Sequence, residues 1–137
     1  MAAPFPFPFS KFVVHKVNPK ELKRVTVPTI KNEQMDIKFL HDEPGATTGF
    51  EDFLPGTTFE WFFWHDEVQY VMMGKADITY ALPPLYQKWE KTKAEPGCIY
   101  LVPRGAHVKF KITSKEPYRH LFVIMPGGCY PQNRIRG

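Results

Sequence analysis

From Val25 onward the chain alternates short apolar runs, rich in Val, Ile, Phe, Tyr and Trp, with clusters of turn-forming residues. The breaks fall at Pro44-Gly45, Pro55-Gly56, Gly74, Pro83-Pro84, Pro96-Gly97, Pro103-Arg104-Gly105 and Pro126-Gly127-Gly128. Runs this short and this evenly cut predict strands closed into a sandwich or barrel. Only Pro19 to Arg24 offers a weak helical turn, so the expected class is all-β. Leu82 to Glu95, with Pro83, Pro84 and several lysines, is read as one long excursion ending in an edge or surface loop.

Within the runs, a period of two assigns faces. In Phe59 to Gly74, an inward Val71 puts Gln69 and Glu67 inward as well. Val68, Tyr70 and Met72 then take the other face, where a second sheet is expected to meet them. Val108, Phe110 and Ile112 form an apolar face, which leaves His107, Lys109 and Lys111 on the opposite, wet side. On the last strand His120 shares its face with the apolar Phe122 and Ile124, as a barrel-wall histidine.

The 137 residues are enough for one domain with a sizeable core and no disulfide or structural metal. The expected division is a Pro/Phe arm and lead-in over residues 1–24, a barrel over 25–128 and a tail over 129–137. Pro4, Phe5, Pro6, Phe7, Pro8 and Phe9 alternate fixed-φ prolines with large rings, an extended arm suited to a groove on a subunit partner or else a frayed tail. The formal charge of +4 comes from lysines scattered among acids, so no nucleic-acid partner is expected. Cys98 and Cys129 are too few for a disulfide framework and lack zinc spacing, which fits a reducing cytoplasmic setting. The sequence contains neither an apolar run long enough to span a bilayer nor the uninterrupted apolar segment of a secretory signal, so no membrane association is expected.

These faces concentrate the chemistry. Burying an ionised carboxylate without partners is costly, so an inward Glu67 must be paired, metal-bound, protonated or catalytic. His65, two residues earlier, is suited to proton transfer if the strand holds both side chains toward the cavity; the alternative is a structural hydrogen bond near the mouth. Gln69 can orient a substrate carbonyl or hydroxyl, and Trp61 and Phe63 can wall an apolar group or serve as ordinary core aromatics. Tyr80 and Tyr100 sit on bordering strands, where a hydroxyl can donate to a developing oxyanion. Arg104 is either a carboxylate anchor at its turn or simply solvated, and His15 and His41 have no convergent partners in sequence.

Two segments resemble the cupin superfamily. Glu67, six residues and Gly74 match the end of its first motif, and Gly97, five residues and Pro103-x-Gly105 match the start of its second. The stretch His65-Asp66-Glu67-Val68-Gln69-Tyr70-Val71-x-x-Gly74 is similar to small single-domain cupins of the ethanolamine-utilisation type. The resemblance implies a double-stranded β-helix, jelly-roll-like barrel, commonly a homodimer, with a mouth lined from both motifs. Where metal-binding cupins carry histidines, this chain has Trp61 and Phe63, or Glu60 and Phe62, and then Val108. No metal cofactor is therefore expected; the minority view is a divalent ion (Fe, Mn, Zn or Ni) on displaced ligands His65, Glu67 and His120. The expected function is a metal-independent lyase, dehydratase or isomerase acting on a polar small molecule through His65 and Glu67. The alternative is a non-catalytic cupin, either a small-molecule-binding module or the partner subunit of a larger metal-dependent ring-cleavage dioxygenase.

Overall fold

The computed structural model describes residues 11–25 and 35–128. The Phe-Pro arm, the tail and Cys129 lie outside these residues. The described residues run through a 3-10 turn (Pro19–Glu21) and ten strands: β1 (Lys23–Val25), β2 (Met35–Asp42), β3 (Thr47–Phe53), β4 (Thr58–Phe62), β5 (Asp66–Met73), β6 (Ala76–Ala81), β7 (Trp89–Ala94), β8 (Ile99–Val102), β9 (His107–Ile112) and β10 (Tyr118–Met125). They form two antiparallel sheets, β1-β2-β3-β10-β5-β8 and β4-β9-β6-β7, whose inner faces enclose the core. Among the described residues no helix is long and apolar enough to cross a membrane.

Alternation places the core as the sequence predicts on β9, where Val108, Phe110 and Ile112 are buried, and on β10, where Tyr118, His120, Phe122 and Ile124 are. Rings fill the space between sheets: Phe53 stacks on Phe59 at 4.2 Å and meets Phe110 edge-on at 5.4 Å. Two expectations are corrected. The outer face of β5 does not meet a second sheet, since Tyr70 is 43% exposed; the second sheet packs against the inner face alone. Residues 82–95 are not all loop, because β7 pairs with β6 from Ala76↔Ala94 to Ala81↔Trp89 and forms a sheet edge. Its charged composition hid it, as edge strands facing water need few apolar residues.

The glycine ending the first motif has a steric reason. Gly74 adopts φ +83, and a Cβ there would lie 2.2 Å from the Pro117 carbonyl oxygen. This close approach sets the loop before β10. On the outer face of the larger sheet, Arg24, Asp36, Asp52 and Arg119 lie in one cross-strand row, each acid clamped by one arginine. Inside, the same sheet carries the polar groups described next.

Candidate functional site

Glu67, Gln69 and Val71 all point inward from β5 and are buried, as their alternation predicts. His65 precedes the strand, in the bend that follows β4, yet its ring turns inward to place Nε2 2.8 Å from Glu67 Oε1. Asp66 points outward and accepts the Arg104 backbone N–H at 2.8 Å, which ties the bend to the Pro103-Gly105 turn.

The hydrogen bonds here have a fixed direction. An ionised carboxylate only accepts, so Glu67 takes a proton bond from His65 Nε2 and another from the Gln69 amide nitrogen. That orients the Gln69 carbonyl toward Tyr100, whose hydroxyl donates to it. The Tyr100 oxygen is then left as acceptor for the Tyr118 hydroxyl, 2.6 Å away. The result is an ordered chain, Tyr118 to Tyr100 to Gln69 to Glu67, with His65 on the other carboxylate oxygen. Burial pushes both phenols up from their ordinary value, Tyr100 well above it, so both keep their protons and remain donors.

A second acid and histidine stand beside the first pair. Glu51 on β3 lies opposite His120 on β10, and a register shift between Arg119 and His120 aligns His120 with Val71 on β5. His120 Nε2 sits 2.6 Å from Glu51 Oε1, and the histidine has no exposed surface. Burial raises the Glu51 carboxyl above the usual range; His120 opposes the rise, and the charges of Glu67 and Asp52 add to it. Glu51 and Glu67 both act on Tyr100, so the two pairs share one electrostatic environment inside the barrel.

The remaining sequence candidates are distributed differently. Phe63 is buried with its ring 5.7 Å from His65, and Trp61 packs half-buried against the core. Tyr80 and Tyr100 line one cleft of about 460 Å³ between β8 and the β6–β7 hairpin, but of the two only Tyr100 bonds into the polar chain. Arg104 is exposed, and its contribution to the site is the backbone N–H given to Asp66. His107 does lie on the outer face, bonded to Glu60 at 2.6 Å and stacked on Phe62.

Glu51 and Tyr118 escaped the sequence reading. Tyr118 was legible as the first residue of the alternating set Tyr118, His120, Phe122, Ile124. Glu51 was not, because Gly49 through Phe53 are all buried and the strand shows no alternation. A metal fits poorly. The cupin histidine positions hold aromatics and a valine, and both His–Glu pairs direct their polar atoms at each other. Among the described residues no group of three His, Cys, Asp or Glu can hold an ion, and His65, Glu67 and His120 do not form one.

Comparison with known proteins places this chain in a family. The family model "Ethanolamine utilisation protein EutQ" matches residues 10–130. The protein named acetate kinase EutQ from Clostridioides difficile (strain 630) is 26% identical over 98 residues, 72% of this chain; the match spans 56% of that relative's length. The structure of a putative ethanolamine utilisation protein Q from Salmonella typhimurium LT2 superposes with a TM-score of 0.62 at 19% identity, covering 84% of this chain and 88% of the other. The Cnp3 cupin domain of Schizosaccharomyces pombe gives a TM-score of 0.59 at 17% identity, covering 82% and 80%. By its match over nearly the whole chain and by its jelly-roll barrel, the protein belongs to the EutQ family of ethanolamine utilisation cupins.

Proposed function

We propose that this cupin converts a polar small molecule by metal-independent proton transfer, in the manner of a lyase, dehydratase or isomerase. The observation that carries the reading is the buried Glu67 carboxylate, held by His65 on one oxygen and by Gln69 on the other. In this reading Glu67 is the base, and His65, bonded to its Oε1, is the group that delivers or takes the balancing proton. The Glu51–His120 pair supplies a second proton-carrying couple within the same barrel.

The name of the Clostridioides relative raises phosphoryl transfer from or to acetate. Such a reaction needs cations to hold phosphate, whereas this site gathers two carboxylates, which repel it. Proton transfer is the better match to the groups present. The homodimer reading is supported by Tyr70, Ile99 and Leu101, which are 43%, 67% and 55% exposed on the outer face at the β5–β8 edge. Ile99→Lys with Leu101→Lys should then give monomers in light scattering.

A panel of hydroxy acids, uronates and amino alcohols tests the chemistry. Glu67→Gln and His65→Ala should each lower turnover by about a hundredfold or more, with the fold intact by circular dichroism. Turnover unchanged in both variants would overturn the catalytic reading and leave a binding module. Acetyl-phosphate formation from acetate and ATP that survives both substitutions would favour the kinase assignment.

A further inference from the structure

The smaller sheet carries a surface that the proposed chemistry does not use. On its outer face strand pairing sets Thr58, Lys111, Asp77 and Lys93 side by side, and in the next row Glu60, Lys109, Thr79 and Lys91, four lysines against two acids. Lysines that are scattered in sequence thus share one face. Beyond them the next row is aromatic: Phe62, His107, Ala81 and Trp89. Lys109 Nζ lies 4.7 Å from the Trp89 ring centre, Trp89 meets His107 edge-on at 4.9 Å, and Phe62 stacks on His107 at 4.0 Å.

This row continues into an apolar rim at one end of the barrel. Tyr86 packs edge-on against Phe62 and its hydroxyl donates to the Gly105 carbonyl at 2.7 Å, which holds the loop of residues 82–88 against the turn at Pro103-Gly105. Tyr86 is kept at φ 52, a left-handed conformation that a large side chain adopts only when its surroundings hold it there. The rim presents Leu85 at 68% exposure, Trp64 at 62%, Phe62 at 59% and Leu82 at 44%. So many large apolar side chains at one end, backed by cations, are not an ordinary solvated surface.

From this arrangement we infer that the protein docks on anionic lipid bilayers, with the rim at Trp64 and Leu85 entering the interface and the lysine rows resting on the headgroups. Three features select this occupant. Leucines have no π face for nucleic-acid bases to stack on, yet they insert well among acyl chains. Tryptophan and tyrosine favour the interfacial depth, and lysines behind them gain from the negative surface potential. A second copy related by a two-fold axis would oppose the four lysines with their own equivalents, which repels. The surface lies on the opposite sheet from the Tyr70–Leu101 edge, so it is compatible with a dimer there.

Co-sedimentation of the full chain with vesicles tests the inference. Vesicles of phosphatidylcholine with about 30% phosphatidylglycerol should bind it, pure phosphatidylcholine vesicles should not, and raising salt should release it. Lys91→Glu with Lys109→Glu should weaken binding about tenfold or more, and Trp64→Ala with Leu85→Ala should do the same. Lys91, Lys109 and Leu85 lie outside the hydrogen-bonded Glu67 cluster, while Trp64 adjoins His65, so circular dichroism of both double variants separates lost binding from lost fold. Failure of the wild type to bind anionic vesicles at low salt overturns the inference, as does binding that both double variants retain. A single-stranded oligonucleotide bound more tightly than the vesicles would overturn it in favour of nucleic acid.

Discussion

Among the described residues three histidine–glutamate contacts are of nearly equal length: His65–Glu67 at 2.8 Å, His120–Glu51 at 2.6 Å and His107–Glu60 at 2.6 Å. The first two lie inside the barrel with fully buried histidines, whereas the Glu60 side chain of the third is 50% exposed. Geometry alone would rank them equal, but solvent does not. The exposed pair is screened by water and competes with it for the same hydrogen bonds, so it contributes little. The buried pairs have lost their hydration, and the hydrogen bond between the partners replaces part of it. What differs is the cost of breaking them, and with it the ability to hold a proton in a defined place.

The comparison breaks most sharply at His120. His120→Ala should cost about 3–5 kcal/mol in denaturant unfolding, because Glu51 is then left buried without its partner. A loss below about 1 kcal/mol would mean that water or another group takes over and that the pair is not a dry one. Glu51→Gln should cost less, about 1–3 kcal/mol, since an amide keeps some hydrogen bonding. That cost should also depend on pH. The folded protein holds the Glu51 proton more tightly than the unfolded chain, where the ordinary value is 4.5. The stability this group contributes is complete below that value and is lost as pH rises through the raised folded pKa. The gap between wild type and Glu51→Gln should therefore shrink as pH climbs above 4.5; a constant gap would show that Glu51 titrates normally. Smallest of all, Glu60→Ala should change stability by less than about 1 kcal/mol, and added salt should erase most of that.

The same division between inside and outside explains what could be read in advance. Glu67, Gln69 and Val71 were legible because β5 obeys strict alternation on its buried face. The partnership of His65 with Glu67 was legible only as a condition, since His65 sits in a bend where a period of two no longer applies. Glu51 was hidden in a strand buried on both faces, where nothing in the local pattern says which of Glu51 and Asp52 looks inward. The structure answers this: Asp52 faces out to a paired bond with Arg119, and Glu51 faces in to His120. Arg104 is the opposite case, a charged residue at a motif turn that is exposed, as one of its two sequence readings had it, and whose backbone N–H does the positioning.

By itself the sequence determined the all-β class, the barrel with its two motifs, the inward carboxylate at Glu67 and the lack of the paired motif histidines, whose places fall to Trp61 and Phe63, or Glu60 and Phe62, and to Val108. These depend on periodicity, turn chemistry and residue identity, which are local. The tertiary structure alone decided that Glu51 meets His120, that Tyr118 and Tyr100 extend the hydrogen bonds of Glu67, and that Lys91, Lys93, Lys109 and Lys111 share one face. Each of these depends on which strands pair and in what register. Register is a long-range property, set by the whole buried face at once, and no single segment carries it.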